Sequence, residues 1–199
     1  MQGEDQIHYQ NLLRHIDKRV VLSKDEQLLA SQYFRIARLP AREYLLKQGS
    51  TCGYESFVSI GSLRSFYIDD RGGEHTLHFA LEDWWISDFS SFLKQLPASR
   101  SIITLEESVL LQIERKKRDE LISKLPKMER FWRILNEHSS MAQDDRLLSN
   151  ISMTGKERYL ALLQKYPDIQ QRLPQKHIAS YLGITPVFLS QIRKEIAGN

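Results

Sequence analysis

The sequence predicts an α+β chain: an antiparallel β-roll or sandwich flanked by helices, a long connecting helix, and a terminal pair of short helices. Three observations predict it. Between residues 43 and 113, short runs of β-formers alternate with Gly/Ser/Asp turn signals at intervals suited to antiparallel pairing rather than to βαβ units. Residues 127–149 place apolar side chains at close to heptad spacing. Residues 175–196 fit two helices that meet at a tight turn.

The elements follow in order. Ile7, Leu12, Leu13 and Ile16 recur at helical spacing over 6–17, and Ser23 with Glu26 forms a capping box that opens a second helix reaching Phe34. After Pro40, strands are expected at 43–47, 55–60, 63–68, 75–79, 101–105 and 107–113, separated by the turns Gln48-Gly49-Ser50, Ile60-Gly61-Ser62 and Asp69–Gly73. From Glu114 helix formers take over toward Pro126, and the charges of ERKKRDE mark a solvated face. The helix over 127–149 carries Phe131, Ile134, Leu135, His138, Met141, Ala142 and Leu148 as one stripe. That stripe suits a two-stranded dimer seam, although packing on the β region would also bury it. A further amphipathic helix, 154–166, is ended by Pro167.

Composition narrows the classes. The 199 residues are 41% hydrophobic and 27% charged, an ordinary globular balance. The N-terminal MQGEDQIHYQ has neither a basic segment nor an apolar run, and no window suits a membrane span, so a soluble cytoplasmic protein without a membrane partner is expected. Cys52 is the single cysteine, which excludes an internal disulfide, a Cys-rich cluster and a structural zinc site. Residues 150–199 hold seven Lys/Arg against three Asp/Glu, while the remainder is nearly balanced. A local positive surplus favours phosphate partners and salt-sensitive binding.

The stretch QKHIASYLGITPVFLSQIRK carries the most information. Ile178 and Leu182 share one helical face, Ala179 permits close approach of a crossing helix, and Gly183 supplies the permissive backbone at the first helix's end. Thr185 caps the second helix and Pro186 takes its first position, where no N–H is needed. Leu189, Ile192 and Ile196 continue the buried stripe, leaving Val187, Ser190, Gln191 and Lys194 outside. An ordinary αα-hairpin would also bury an Ile/Leu stripe, but few need all these features together. The pattern is that of a helix-turn-helix whose second helix enters the major groove of double-stranded DNA. Gln191 would pair with adenine, Val187 with a thymine methyl, and Arg193, Lys194, Lys176 and His177 would hold phosphates, with Thr185, Pro186 and Ser190 on the same surface.

Taken together, LLKQGSTCGYESFVSIGSLRSFYIDDRGGEHTLHF in the β region and ERYLALLQKYPDIQQRLPQKHIASYLGITPVFLSQIRK at the end resemble the Crp/Fnr superfamily of bacterial transcription regulators, in the variant common in Bacteroidetes-type bacteria. The resemblance spans nearly the whole chain. It implies a cyclic-nucleotide-binding-like β-roll over 1–126, a connecting dimerisation helix over 127–149, a helix-turn-helix domain over 150–199, and RNA polymerase as a further partner. It also implies an effector pocket around Ser87, Asp88, Phe89, Arg100 and Ser101, a cyclic nucleotide or another small molecule being the effector class. Departures argue against cyclic AMP. Where the cyclic-AMP-binding members carry Gly-Glu-Leu, this chain reads Ser87-Asp88-Phe89, and counting back from the strand 107–113 puts Ala98, not Arg100, at the phosphate-binding arginine's place. Trp84 and Trp85 are expected to fill the pocket instead. The wing strands that many members carry after the second helix find no counterpart before Asn199.

Catalytic constellations are lacking. His75 and His78, three apart in a strand, face opposite ways and cannot share a metal; Asp144-Asp145 and Glu106-Glu107 diverge. The expectation is therefore a homodimeric, non-enzymatic DNA-binding regulator. Two alternatives make different predictions: a small-molecule-binding β-roll whose terminal helices dock a protein would show no salt-sensitive DNA binding, and a cupin-like enzyme would hold metal.

Overall fold

The computed structural model describes residues 3–197, with side chains from Asp5 onward. Asn199, and with it the chain end, lies outside the described residues. Helices α1 (Gly3–Asp17) and α2 (Lys24–Ser31) lead into strands β1 (Arg35–Leu39), β2 (Tyr44–Leu46), β3 (Tyr54–Ile60), β4 (Leu63–Ile68), β5 (Glu74–Ala80) and β6 (Trp85–Ile86). The short helix α3 (Phe89–Lys94) precedes β7 (Ser101–Thr104) and β8 (Ser108–Glu114); α4 (Arg115–Lys124), α5 (Lys127–Ser152), α6 (Gly155–Lys165), α7 (Ile169–Arg172), α8 (Gln175–Leu182) and α9 (Pro186–Ala197) complete the chain. No described helix is long and apolar enough to cross a membrane.

Two antiparallel four-stranded sheets face each other, ordered β1-β8-β3-β6 and β2-β7-β4-β5. Strand alternation builds three layers of core from them. Val58 and Leu110 point inward to meet Leu46, Leu63, Ala80 and Ile102 of the second sheet. Their neighbours Phe57, Leu111 and Ile113 point outward and pack under Leu12 and Ile16 of α1 and Met128, Phe131 and Trp132 of α5. On the outer face of the second sheet, Phe79, with Leu81 and Leu105, continues into the core of α6 to α9. The C-terminal helices are therefore docked on the β-roll of the same chain.

The capping box forms: Ser23 Oγ accepts from Glu26 N and Glu26 accepts from Ser23 N at 2.7 Å. Its helix ends at Ser31 rather than Phe34, because Arg35–Leu39 is drawn into β1 by pairing along β8. The same long-range pairing makes a strand of Trp85–Ile86 against β3. Helix α5 runs to Ser152, beyond the expected 149.

Candidate functional site

Local sequence determines the geometry of α8 and α9. Gly183 ends α8 in the left-handed region at φ +66°, and Ile184 N donates back to Ala179 O at 3.0 Å, satisfying a carbonyl at the helix end. Two residues on, Thr185 Oγ1 accepts from Phe188 N at 3.1 Å and starts α9. The turn also fits beneath the start of α6. A Cβ on Gly155 would stand 2.8 Å from Ile184 Cγ2 and 3.1 Å from the Phe188 ring, so only glycine allows that approach. Arg158 of α6 donates to Leu182 O through Nε and Nη2 at 3.1 and 2.9 Å, joining the third helix to the pair.

Leu189 and Ile192 are buried, while Thr185, Pro186, Val187, Ser190, Gln191, Arg193 and Lys194 form a continuous solvent-facing surface, with Lys176 exposed on α8. Lys156 and Glu195 pair beside it at 2.8 Å. The face thus combines the cations Arg193, Lys194 and Lys176 with the exposed apolar side chains Val187 and Phe188.

His177 does not join that face, contrary to the expectation from its position. It is buried where α8 lies along β5. Ser180 of α8 satisfies the β5 edge there, its hydroxyl accepting from Thr76 N at 2.9 Å and donating to Glu74 O at 3.2 Å. Arg172 donates to both oxygens of Glu82 at 2.7 and 2.9 Å, to Gly61 O, and to Glu106. Arg146 of α5 donates to the carbonyls of Leu77, Thr76 and Tyr181. Trp84 packs edge-on to Tyr166 at 5.4 Å in the same seam. Sequence marks none of these docking residues, because each makes its contact across more than 30 residues of chain.

Three histidines are kept neutral by burial, His177 and His78 near this seam and His15 on α1 against the first sheet. Burial lowers His177, with Arg64 and Lys176 adding to it, His78, with Arg146 and Arg100, and His15, with Arg19, each to about 4. The unfolded chain, with histidine near 6.5, takes up protons first as pH falls. The stability supplied by these neutral imidazoles is therefore complete above about pH 6.5 and is lost progressively toward pH 4. Calorimetric melting should show the unfolding midpoint falling between pH 6.5 and 4.5, above the range where carboxylates titrate, and His177→Gln should make that fall shallower. A midpoint flat over this window would contradict the assignment.

Of the expected effector residues, Asp88 and Arg100 meet, but the set does not line one pocket. Trp85 turns outward into a cluster with His15, Phe34, Phe57 and Phe131, and Trp84 faces the C-terminal helices, so neither fills the roll. Asp88 is buried and caps α3, accepting from Ser91 N at 3.1 Å and from Ser99 N and Oγ at 2.9 and 3.0 Å, with Arg100 Nε at 3.5 Å. Burial alone would raise its carboxyl, but the Ser91 and Ser99 donors and Arg100 outweigh it and hold it below the usual carboxylate range. The acceptors of Asp88 are spent inside the chain. Ala98 is buried in the inter-sheet core, Ser101 Oγ accepts from Gln48 N, and Phe89 lies near Arg118. A cavity of about 390 Å³ does open between the sheets, but Ser87 alone of the expected set lines it. Its other polar walls include Arg35, Ser56 and Gln112, legible in retrospect as hydrophilic residues at inward strand positions.

The stripe on α5 divides. Phe131 is fully buried on the β-roll and Leu135 packs beside it, because α5 begins against the first sheet. His138, Met141, Ala142 and Leu148 are exposed, and Leu147 and Ile151, which lie outside the predicted stripe, join them at 61% and 77% exposure. His75 stacks on Tyr67 and pairs with Asp69, away from His78, and no group of metal-ligating residues occurs among the described residues.

The fold has many relatives among solved structures. The chain is similar to the catabolite activator protein of Thermus thermophilus at 23% identity, over 89% of this chain and 84% of that one, with a TM-score of 0.54. It is similar to FixK2 of Bradyrhizobium japonicum at 13% identity, over 83% and 85%, with a TM-score of 0.71. A Crp/Fnr-family regulator from Eubacterium rectale aligns at 14% identity, over 88% and 84%, with a TM-score of 0.68. No curated protein sequence matches the chain. Residues 36–124 match the cyclic nucleotide-binding domain family, and the chain shares its fold with regulators of the Crp/Fnr type.

Proposed function

We propose that this protein is a sequence-specific DNA-binding transcription regulator of the Crp/Fnr type, cytoplasmic, working as a homodimer with RNA polymerase as a further partner, whose β-roll responds to a small molecule. The observation that carries the reading is the exposed surface of α9, in which Val187, Ser190, Gln191, Arg193 and Lys194 face solvent from a helix anchored by Leu189 and Ile192. The support of α8 and the turn at Gly183 favour reading the pair as a helix-turn-helix, in which α9 would lie in the major groove. Similarity to a catabolite activator protein, that of Thermus, points the same way. Cyclic AMP does not suit the β-roll, since Asp88 is committed to Ser91, Ser99 and Arg100 and Ala98 stands where the resemblance places the phosphate arginine. A ligand preferring one disposition of the two long helices would set the separation of the two α9 helices, and so the fit to half-sites one DNA turn apart.

Selection from random duplex DNA tests the reading. A preferred sequence should emerge, and Gln191→Ala should relax preference at one base position by about 1–3 kcal/mol. Lys194→Ala should weaken all sequences alike and flatten the salt dependence by about one unit of slope. No salt-sensitive DNA binding, with a protein captured on the terminal helices instead, would leave the β-roll as the sensor of a protein-docking module.

A further inference from the structure

The interior of a β-sandwich is normally apolar, yet one row across the first sheet is not. The pairing aligns Arg35 of β1 with Gln112 of β8 and Ser56 of β3, and all three line the cavity between the sheets. Arg35 Nε and Nη2 donate to Gln112 Oε1 at 3.2 and 2.9 Å, and Gln112 Nε2 donates to Ser56 Oγ at 3.1 Å. Ser56 and Gln112 are buried, whereas Arg35, on the edge strand β1, is exposed, its guanidinium lying over the Tyr54 ring, 3.9 Å from the centroid. Burying Ser56 and Gln112 carries a desolvation cost while about 390 Å³ beside them is left unfilled, a volume at the small end of ligand sites.

The fork of Arg35 is half used. Its Nε and Nη2 are committed to Gln112, while Nη1 has no hydrogen-bond partner among the described residues. Stacking and the Gln112 contact already hold the guanidinium still, so an arriving anion loses little to ordering it. Arg35 is the one cation among the lining residues, and the walls beyond it are mostly apolar, with Ala37, Leu39, Leu46, Ile86 and Ile102 beside the hydroxyls of Thr51 and Ser87. One positive group at the end of an apolar chamber suits one negative charge on an apolar body. A phosphate dianion would find no second cation there, and the N-terminus of α3 is already taken by Asp88.

We propose that this cavity binds a small monocarboxylate with an apolar body, its carboxylate on Arg35 Nη1 and its body between β1, β2 and β7. The inference rests on the β-roll being a sensor and names the ligand class.

Isothermal titration of the full chain with octanoate, and with 1-octanol as its uncharged match, tests it. Octanoate should bind once per chain and more tightly than octanol. Arg35→Gln should weaken octanoate by roughly ten- to a hundredfold, the worth of one charged hydrogen bond, and leave octanol unchanged. Ala37→Phe, which fills the apolar end without touching the polar row, should abolish both. Arg38→Gln, on the same strand but paired with Asp5 outside the cavity, should alter neither. Circular dichroism confirms that each variant is folded. Absence of saturable octanoate binding to the unsubstituted protein, or unchanged octanoate affinity in a folded Arg35→Gln, overturns the proposal. DNA selection on the same unliganded protein separates the two readings. Operator binding without octanoate binding sinks the carboxylate site alone, and octanoate binding without any DNA preference sinks the regulator reading alone.

Discussion

Glu55→Ala should destabilise the protein by about 3–5 kcal/mol, the range for removing one partner of a buried ion pair. Glu55 points outward from β3 into the layer beneath the helices, where Arg118 Nη1 of α4 and Trp132 Nε1 of α5 both donate to its Oε2 at 3.0 Å. Burial pushes its carboxyl up, while Arg118 and then Trp132 pull it back. Without the carboxylate, Arg118 is left charged and 11% exposed, with the Phe92 and Trp132 rings 5.5 and 5.3 Å away and nothing to neutralise it. Urea denaturation should show a lower midpoint at unchanged slope. A double replacement, Glu55→Leu with Arg118→Leu, should recover most of the loss, since neither charge is then stranded. A cost below about 1 kcal/mol for Glu55→Ala would show that water reaches the site and that the pair does not hold α4 and α5 to the roll.

Leu148→Glu with Ile151→Glu should convert the proposed dimer to a monomer and lower operator affinity by about 10²–10⁴-fold, the loss expected when two half-site contacts are no longer linked. The free half of α5 exposes Met141, Leu147, Leu148 and Ile151, an apolar strip on a 26-residue helix. Two copies packed along this strip would cover it and set the spacing of their α9 helices. Sedimentation velocity and electrophoretic mobility on the selected operator read the two effects separately. An unsubstituted protein that is monomeric at all concentrations, on DNA as well as off it, would remove the dimer from the proposal, as would a doubly substituted protein that keeps full affinity.

The C-terminal helix pair is legible in the sequence because its determinants are local. Gly183, Thr185, Pro186 and the Ile178/Leu182/Leu189/Ile192 stripe act within a few residues of one another, through caps, backbone freedom and helical periodicity. The capping box at Ser23 and the overall succession of helices and antiparallel strands are legible for the same reason. Strand β1 is hidden because Arg35–Leu39 is a strand only by virtue of β8, roughly 70 residues on. Proximity to Ser87 along the chain suggests that Trp84 and Trp85 fill the pocket, whereas in space Trp85 goes to the α1 side and Trp84 to the α6 side.

By itself, then, the sequence determined the types of most elements and which face of α9 is exposed, since propensity, capping and period act along the chain. Tertiary structure alone decided that His177 is buried and that Arg35, Gln112 and Ser56 meet across three strands around a chamber. Those outcomes depend on sheet register and on docking of α8 against β5, contacts between residues tens to a hundred positions apart.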